Sequence, residues 1–267
     1  MKDILQVKNV SKVFTSKGTF FKRNRSDYIA VNNVSFSIQE NESFGLVGES
    51  GSGKTTLAHI IAGLIEANSG MVLFDDENIS NFSFQDKKKY YESVQMIFQD
   101  SNAVLNPNKT IGWSIGEGLR NMGKFSQKEI RKKVEETLSD VGLDISYYDS
   151  FPNNLSGGQR QRVSIASAII IEPKFIIIDE GVSALDVSIQ ASILNLLNLL
   201  KKKYQLTYLL ISHDLNVIEY FCDRVAVMYR GDLIEIFDPL HTHIEERNAY
   251  TQKLFASIPN IYLKEEV

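Results

Sequence analysis

Two stretches near the start of the chain, residues 4 to 14 and 28 to 38, alternate apolar and polar side chains. The second places Val31, Val34, Phe36 and Ile38 on one side, the pattern of a half-buried strand. Between them Thr15 to Asp27 is basic, with Gly and Ser, which reads as an exposed loop and an insertion. Ser43 to Val47, Met71 to Phe74 and Val94 to Phe98 are further short strands. Phe175 to Asp179 and Leu206 to Ser212 are near-continuous apolar runs, as in strands buried on both faces of a parallel sheet. Helical spacing appears in Lys54 to Leu64, where Leu57, Ile60, Ile61 and Leu64 share a face and Gly63 stands near the end. It appears again in Ile111 to Leu119 and Gln127 to Val141, which carry many surface charges. From Val187 to Lys203 the stripe is Ile189, Ile193, Leu196, Leu197 and Leu200, and three lysines complement the helix dipole at its end. Strand, helix and strand over residues 175 to 212 form a βαβ unit. The pattern is thus α/β, with a helical subdomain between two β-rich halves and no repeat or long linker.

Composition changes this picture little. A chain of 267 residues with 43% hydrophobic content can bury one good core. A net charge of −4 gives no general attraction to nucleic acid or anionic lipid, and the runs 87–89, 131–133 and 201–203 read as solvated helix faces or ends. The single cysteine, Cys222, excludes an internal disulfide and a cysteine-based metal site and fits a reducing compartment. Met1 to Val10 lacks the apolar core of a signal peptide, and the longest apolar runs, 163–171 and 175–178, are split by Glu172 and Pro173. A membrane role would therefore need a partner that carries the membrane part.

The candidate chemistry starts at Gly48-Glu49-Ser50-Gly51-Ser52-Gly53-Lys54-Thr55, a complete G-x-x-x-x-G-K-[ST] loop between a strand and a helix. Its glycines let backbone N–H groups turn around phosphates, and the helix start adds partial positive charge. Lys54 reaches the outer phosphates and Thr55 offers its hydroxyl to Mg²⁺. A chance Gly/Ser-rich turn would not bring all four fixed positions and both flanks together. Asp179 and Glu180 then stand at the C-terminal end of a buried strand, where open parallel sheets meet ligands. One acid can hold the Mg²⁺ shell and the other orient or deprotonate the attacking water. Ser156 and Gln159, three residues apart, also make an ordinary capping box for the following helix. Ser156 and the amides of Gly157 and Gly158 at that helix start suit a γ-phosphate.

With Leu155-Ser156-Gly157-Gly158-Gln159 the chain resembles the ATP-binding cassette family, and it carries the family's whole order: phosphate loop, Gln99, signature, Asp179 and Glu180, Ser183 to Asp186, His213. The resemblance runs over nearly the whole length. It implies a P-loop NTPase (RecA-like) fold, with a parallel core sheet, an N-terminal antiparallel β subdomain and an inserted helical subdomain. Residues 1–98 and 161–240 would form the nucleotide-binding core with its β subdomain, 99–160 the helical signature subdomain and 241–267 a C-terminal tail. It implies ATP and Mg²⁺ as cofactors, with Glu180 and His213 catalytic and Thr55, Gln99 and Asp179 at the metal. The nucleotide would meet Gly48 through Thr56, Gln99, Asp186 and, from a partner subunit, Ser156 to Gln159. Phe14 matches the position that stacks on adenine, with Tyr28 a rival because of the intervening insertion.

Within the family, Met96 to Asp100 with Leu105-Asn106-Pro107, Ser183 to Ala191, Asp223 to Tyr229 and the tail around Asn248 to Gln252 and Ala256 to Pro259 are similar to the oligopeptide, dipeptide and nickel importers. Such importers imply a second ATPase subunit, two permease subunits and an external binding lipoprotein, with this chain peripheral on the cytoplasmic face. A permease's short helix would dock in a groove near Gln99 and the helical subdomain. Gly181 stands where proline is usual, a change worth about 0.4–1 kcal/mol without loss of a carboxylate. Ser167 replaces a usual arginine and removes a possible ion pair. Two rival readings are a nucleotide kinase, which gives no reason for residues 155 to 159, and a soluble non-transport cassette acting on ribosomes or DNA. The solute, whether peptide, nickel or metal chelate, is not written in this chain.

Overall fold

The computed structural model describes residues 2–15, 27–98, 104–180 and 186–256. The loop expected at 15 to 27, Gln99, Gly181, Ser183 to Leu185 and the tail from 257 therefore lie outside the described residues, apart from Thr15 and Asp27 themselves.

The two alternating stretches pair with each other as antiparallel β1 (Asp3–Thr15) and β2 (Asp27–Gln39). With β4 (Ser69–Phe74) and the short β5 (Glu77–Asn78) they make a four-stranded sheet ordered β2-β1-β4-β5. The apolar runs form the second sheet, ordered β10-β9-β3-β8-β7-β6. Its members are β3 (Ser43–Val47), β6 (Val94–Ile97), β7 (Phe175–Asp179), β8 (Thr207–Ile211), β9 (Arg224–Tyr229) and β10 (Asp232–Phe237). All pairings are parallel except the β9–β10 hairpin at the edge.

Every residue of β3, β7 and β8 is buried, because cores lie on both faces of this sheet. Alternate side chains go to opposite sides, as the two-residue period of a strand demands. Phe175, Ile177, Leu209 and Ile211 join β1, β2 and α1 (Lys54–Ile61). Ile176, Ile178, Tyr208 and Leu210 join the helical side. That side holds α3 (Ile111–Ile115), α4 (Glu117–Met122), α5 (Gln127–Asp140), α6 (Gly157–Ile169) and α7 (Val187–Tyr204), whereas α2 (Phe84–Ser93) precedes β6.

The structure corrects two helices. The one expected to reach Leu64 stops at Ile61, since Gly63 turns the chain out at φ +71° and leaves Leu64 half exposed. The one expected over 111 to 119 is two helices broken at Gly116, where a Cβ would sit 2.9 Å from the Ile130 side chain. Ser167, in place of the expected arginine, bonds back to the Val163 carbonyl at 3.0 Å. At the C-terminal end α8 (Leu215–Phe221) and α9 (Ala249–Ala256) close the helical face. The buried Arg247 is sandwiched between Phe237 and Phe255, 4.1 and 4.7 Å from their ring centres, and pairs with Glu219 at 2.9 Å. No helix among the described residues is long and apolar enough to cross a membrane.

Candidate functional site

The parallel register puts three strand ends on one edge. Leu46 of β3 lies opposite Ile211 of β8, which lies opposite Asp179 of β7. The next residues on these strands are therefore Val47 and the loop, Ser212 and His213, and Glu180.

The loop wraps tightly because two of its glycines pass against backbone. A Cβ on Gly48 would stand 2.1 Å from the Met228 carbonyl oxygen, and one on Gly53 would stand 2.0 Å from that of Ala30. Both positions also have left-handed φ, +148° and +106°, which only glycine adopts without strain. The wall is completed by the β9–β10 turn, whose Gly231 N–H donates to Ser52 at 2.9 Å. Inside this cradle Lys54 is almost fully buried, with Nζ donating to the carbonyls of Gly48 and Glu49 at 2.8 and 2.9 Å and to Ser52 Oγ at 3.3 Å. Burial lowers its pKa, and the nearby Glu180 and Asp179 carboxylates act against that. An ammonium group held this way is aimed at whatever anion the loop encloses, so the residues present fit a phosphate chain. Glu49, Ser50, Gly51 and Thr55 form the open rim, and Thr56 is partly covered.

Thr55 donates its hydroxyl to Asp179 Oδ1 at 3.3 Å, so two of the three expected metal residues are brought together, the third, Gln99, lying outside the described residues. Asp179 is buried, and burial raises its pKa first, against the pull of the Thr55 hydroxyl, His59 and Lys54. A buried carboxylate beside a hydroxyl suits a hard cation bound through oxygen. Glu180 follows with φ +49° and its backbone N–H on the Ile211 carbonyl at 3.0 Å. His213 brings Nδ1 within 3.5 Å of Glu180 Oε1.

The adenine rivals share one ladder rung. Phe14 and Tyr28 are opposite residues of β1 and β2, and both rings are exposed. Tyr28 also donates its hydroxyl to the Gly51 carbonyl at 2.8 Å, which ties it to the loop. Ser156, Gly157, Gly158 and Gln159 open α6 with the expected capping box. Ser156 N–H donates to Gln159 Oε1 at 2.9 Å, and Gln159 N–H donates to Ser156 Oγ at 3.3 Å. Ser156 and Gly157 are exposed, and no atom of the described residues lies within 4 Å of a Cβ on Gly157. Asp186 is exposed just before α7. Sequence reading did not anticipate the Ala30 and Met228 carbonyls that make the loop glycines necessary, since backbone atoms leave no trace in residue type. Nor did residue type single out Tyr147, whose hydroxyl accepts from Gln159 Nε2 at 2.8 Å.

Between α2 and α4 runs a groove of about 470 Å³, mostly apolar, lined by Phe84, Tyr91, Gly118, Asn121, Met122 and Ile171. Phe84 is 86% exposed there.

A central parallel strand that runs into a glycine loop, with its lysine folded inward and acids two strands away, defines a P-loop nucleoside triphosphatase. Residues 31–183 match the ABC transporter family. The oligopeptide transport ATP-binding protein AppF of Bacillus subtilis is 42% identical over 257 residues, covering 96% of this chain and 78% of that protein. OppF of Lactococcus lactis, with the same description, is 40% identical over 261 residues, covering 98% and 82%. Among solved structures, cbiO1 of Clostridium perfringens, part of an ABC transporter complex, superposes with a TM-score of 0.78 at 29% identity, covering 96% and 92% of the two chains. The cassette MJ0796, a dimer bound to ADP and Pi, superposes with a TM-score of 0.76 at 30% identity, covering 88% and 98%. The chain belongs to the ATP-binding cassette transporter family and is an ATPase.

Proposed function

We propose that this chain powers the import of oligopeptides as one of two ATPase subunits of a transporter. It would act on the cytoplasmic face of the membrane, through two permease subunits and with an external binding lipoprotein. The relatives named for oligopeptide transport, matched over nearly the whole chain, support the solute class. The reported relatives offer nothing to the ribosome or DNA reading. The groove between α2 and α4 supports a permease contact, since an apolar trough with a projecting Phe84 suits the apolar face of a short helix.

The observation that carries the shared ATP site is the exposed start of α6. In its capping box Ser156 Oγ acts as acceptor, so the hydroxyl hydrogen is left for an outside oxygen. The first N–H groups of a helix likewise have no intrahelical acceptor. Ser156 and Gly157 are exposed there, and their donors fit a γ-phosphate held by the loop of another cassette.

In this reading Lys54 binds the outer phosphates and the loop amides orient them. Bound Mg²⁺ supplies neutralisation of phosphate charge, and Thr55 and Asp179, with Gln99, would hold it. Glu180 takes the proton of the attacking water, and His213 keeps its carboxylate turned toward the nucleotide edge. Phe14 or Tyr28 supplies the adenine platform. The partner's signature completes the site, so that ATP closes the pair and hydrolysis opens it.

Uptake by a strain lacking this chain tests the solute. Labelled tri- to pentapeptide uptake is expected to fall to background and to return with the wild-type copy but not with a Glu180→Gln copy. Undiminished peptide uptake with a specific loss of Ni²⁺ uptake would contradict the peptide assignment.

A further inference from the structure

We infer that Tyr147 is a positioning residue for the signature, fixing the amide of Gln159 so that Ser156 presents its hydroxyl hydrogen outward. The inference rests on the shared-site reading above.

A glutamine amide has an accepting end and a donating end, and the capping box needs the first. Ser156 N–H must face Oε1; turned over, the amide would set its NH₂ against that N–H. The structure holds the correct end with a third partner, since Gln159 Nε2 donates to the Tyr147 hydroxyl at 2.8 Å. Tyr147 is itself well placed for this. It lies on a 3₁₀ turn, Ile145–Asp149, which Asp144 caps through the Ser146 N–H at 2.8 Å. The turn is tied to α3 by the Ile111 N–H on the Ser150 carbonyl at 2.8 Å. Its next residue, Tyr148, packs flat on Gly112, where a Cβ would stand 2.6 Å from the ring, and carries the Arg131 guanidinium 4.7 Å from its centre. The hydroxyl is therefore delivered by a braced element rather than by a free side chain.

Without it, Gln159 is free to rotate toward solvent, and Ser156 N–H then loses its acceptor. The backbone at the start of α6 can turn, and the exposed donors of Ser156 and Gly157 no longer share one geometry. Alignment of donors on a phosphate sets both affinity and rate, so the defect should appear in pairing of cassettes and in turnover. Nucleotide binding by this chain's own loop should be spared.

The test uses this chain assembled with its partner cassette, both in forms that bind ATP without consuming it, with pairing followed by sedimentation. Tyr147→Phe removes one hydroxyl. It is expected to weaken ATP-dependent pairing about threefold to tenfold, the range of one neutral hydrogen bond, with ATP binding to this chain changed less than twofold. Gln159→Ala, itself expected to weaken pairing, supplies the discriminating background, because without the amide the Tyr147 hydroxyl has nothing to orient. There Tyr147→Phe should change pairing less than twofold. No effect in the native background, or an equal effect in both, would overturn the inference, since the tyrosine would then be packing alone. Ser156→Arg separates this from failure of the shared site. Loss of pairing with Ser156→Arg but none with Tyr147→Phe removes only the role of Tyr147, and unchanged pairing with Ser156→Arg removes both.

Discussion

Glu180→Gln is expected to lower ATP turnover at least ~10²-fold while leaving nucleotide binding intact, in line with the contribution of a general base. The substitution keeps the shape of the side chain and removes its charge and its ability to take a proton. Its surroundings explain why shape should be preserved. The backbone at Glu180 is fixed by φ +49° and by the bond from its N–H to Ile211, and the side chain stands 3.5 Å from His213 Nδ1. None of these contacts needs a carboxylate rather than an amide for the fold to form. Steady-state phosphate release by the assembled complex, beside equilibrium binding of a fluorescent ATP analogue, separates the two effects. Turnover within a fewfold of wild type would contradict the role given to Glu180.

Lys54→Ala should weaken ATP binding itself, on the order of 10²-fold. Charge-assisted hydrogen bonds contribute about 1.5–3 kcal/mol each, and this ammonium is buried in the cradle with its donors turned onto the loop. The change also strips two loop carbonyls of their donor. Lys54→Arg should not restore binding, because a planar fork cannot replace a compact ammonium between Gly48, Glu49 and Ser52. Isothermal titration with ATP and Mg²⁺ checks both variants, and affinity within threefold of wild type would show that the lysine is structural.

Much of this fold is legible because the main sheet is buried on both sides. A near-continuous apolar run such as Phe175 to Asp179 has few other readings, and the motifs sit where such strands end. What stayed hidden has physical causes. In α2 only Tyr90 is buried, so there is no apolar stripe to read, and yet the helix forms on its Ser83–Asp86 capping box. The groove it lines needs Gly118 to Met122 from α4, a pairing of distant segments that no local pattern reports. The need for glycine at the break, Gly116, comes from Ile130, which lies close only in the folded state. Tyr147 looks like any half-buried tyrosine until Gln159 is placed beside it. The rivalry between Phe14 and Tyr28 persists for the opposite reason, since the ladder that would have separated them makes them neighbours.

In the proposed reading the loop at Gly48 to Thr55 is half of a site completed by another subunit's signature. Sedimentation of this chain with its partner cassette tests it most directly, both in hydrolysis-deficient form, with and without ATP, and with Ser156→Arg in this chain. ATP is expected to convert separate subunits into a pair, and Ser156→Arg to block that conversion while this chain still binds ATP. Pairing that is indifferent to ATP and to Ser156→Arg, in subunits whose parent forms hydrolyse ATP at full rate, would contradict it.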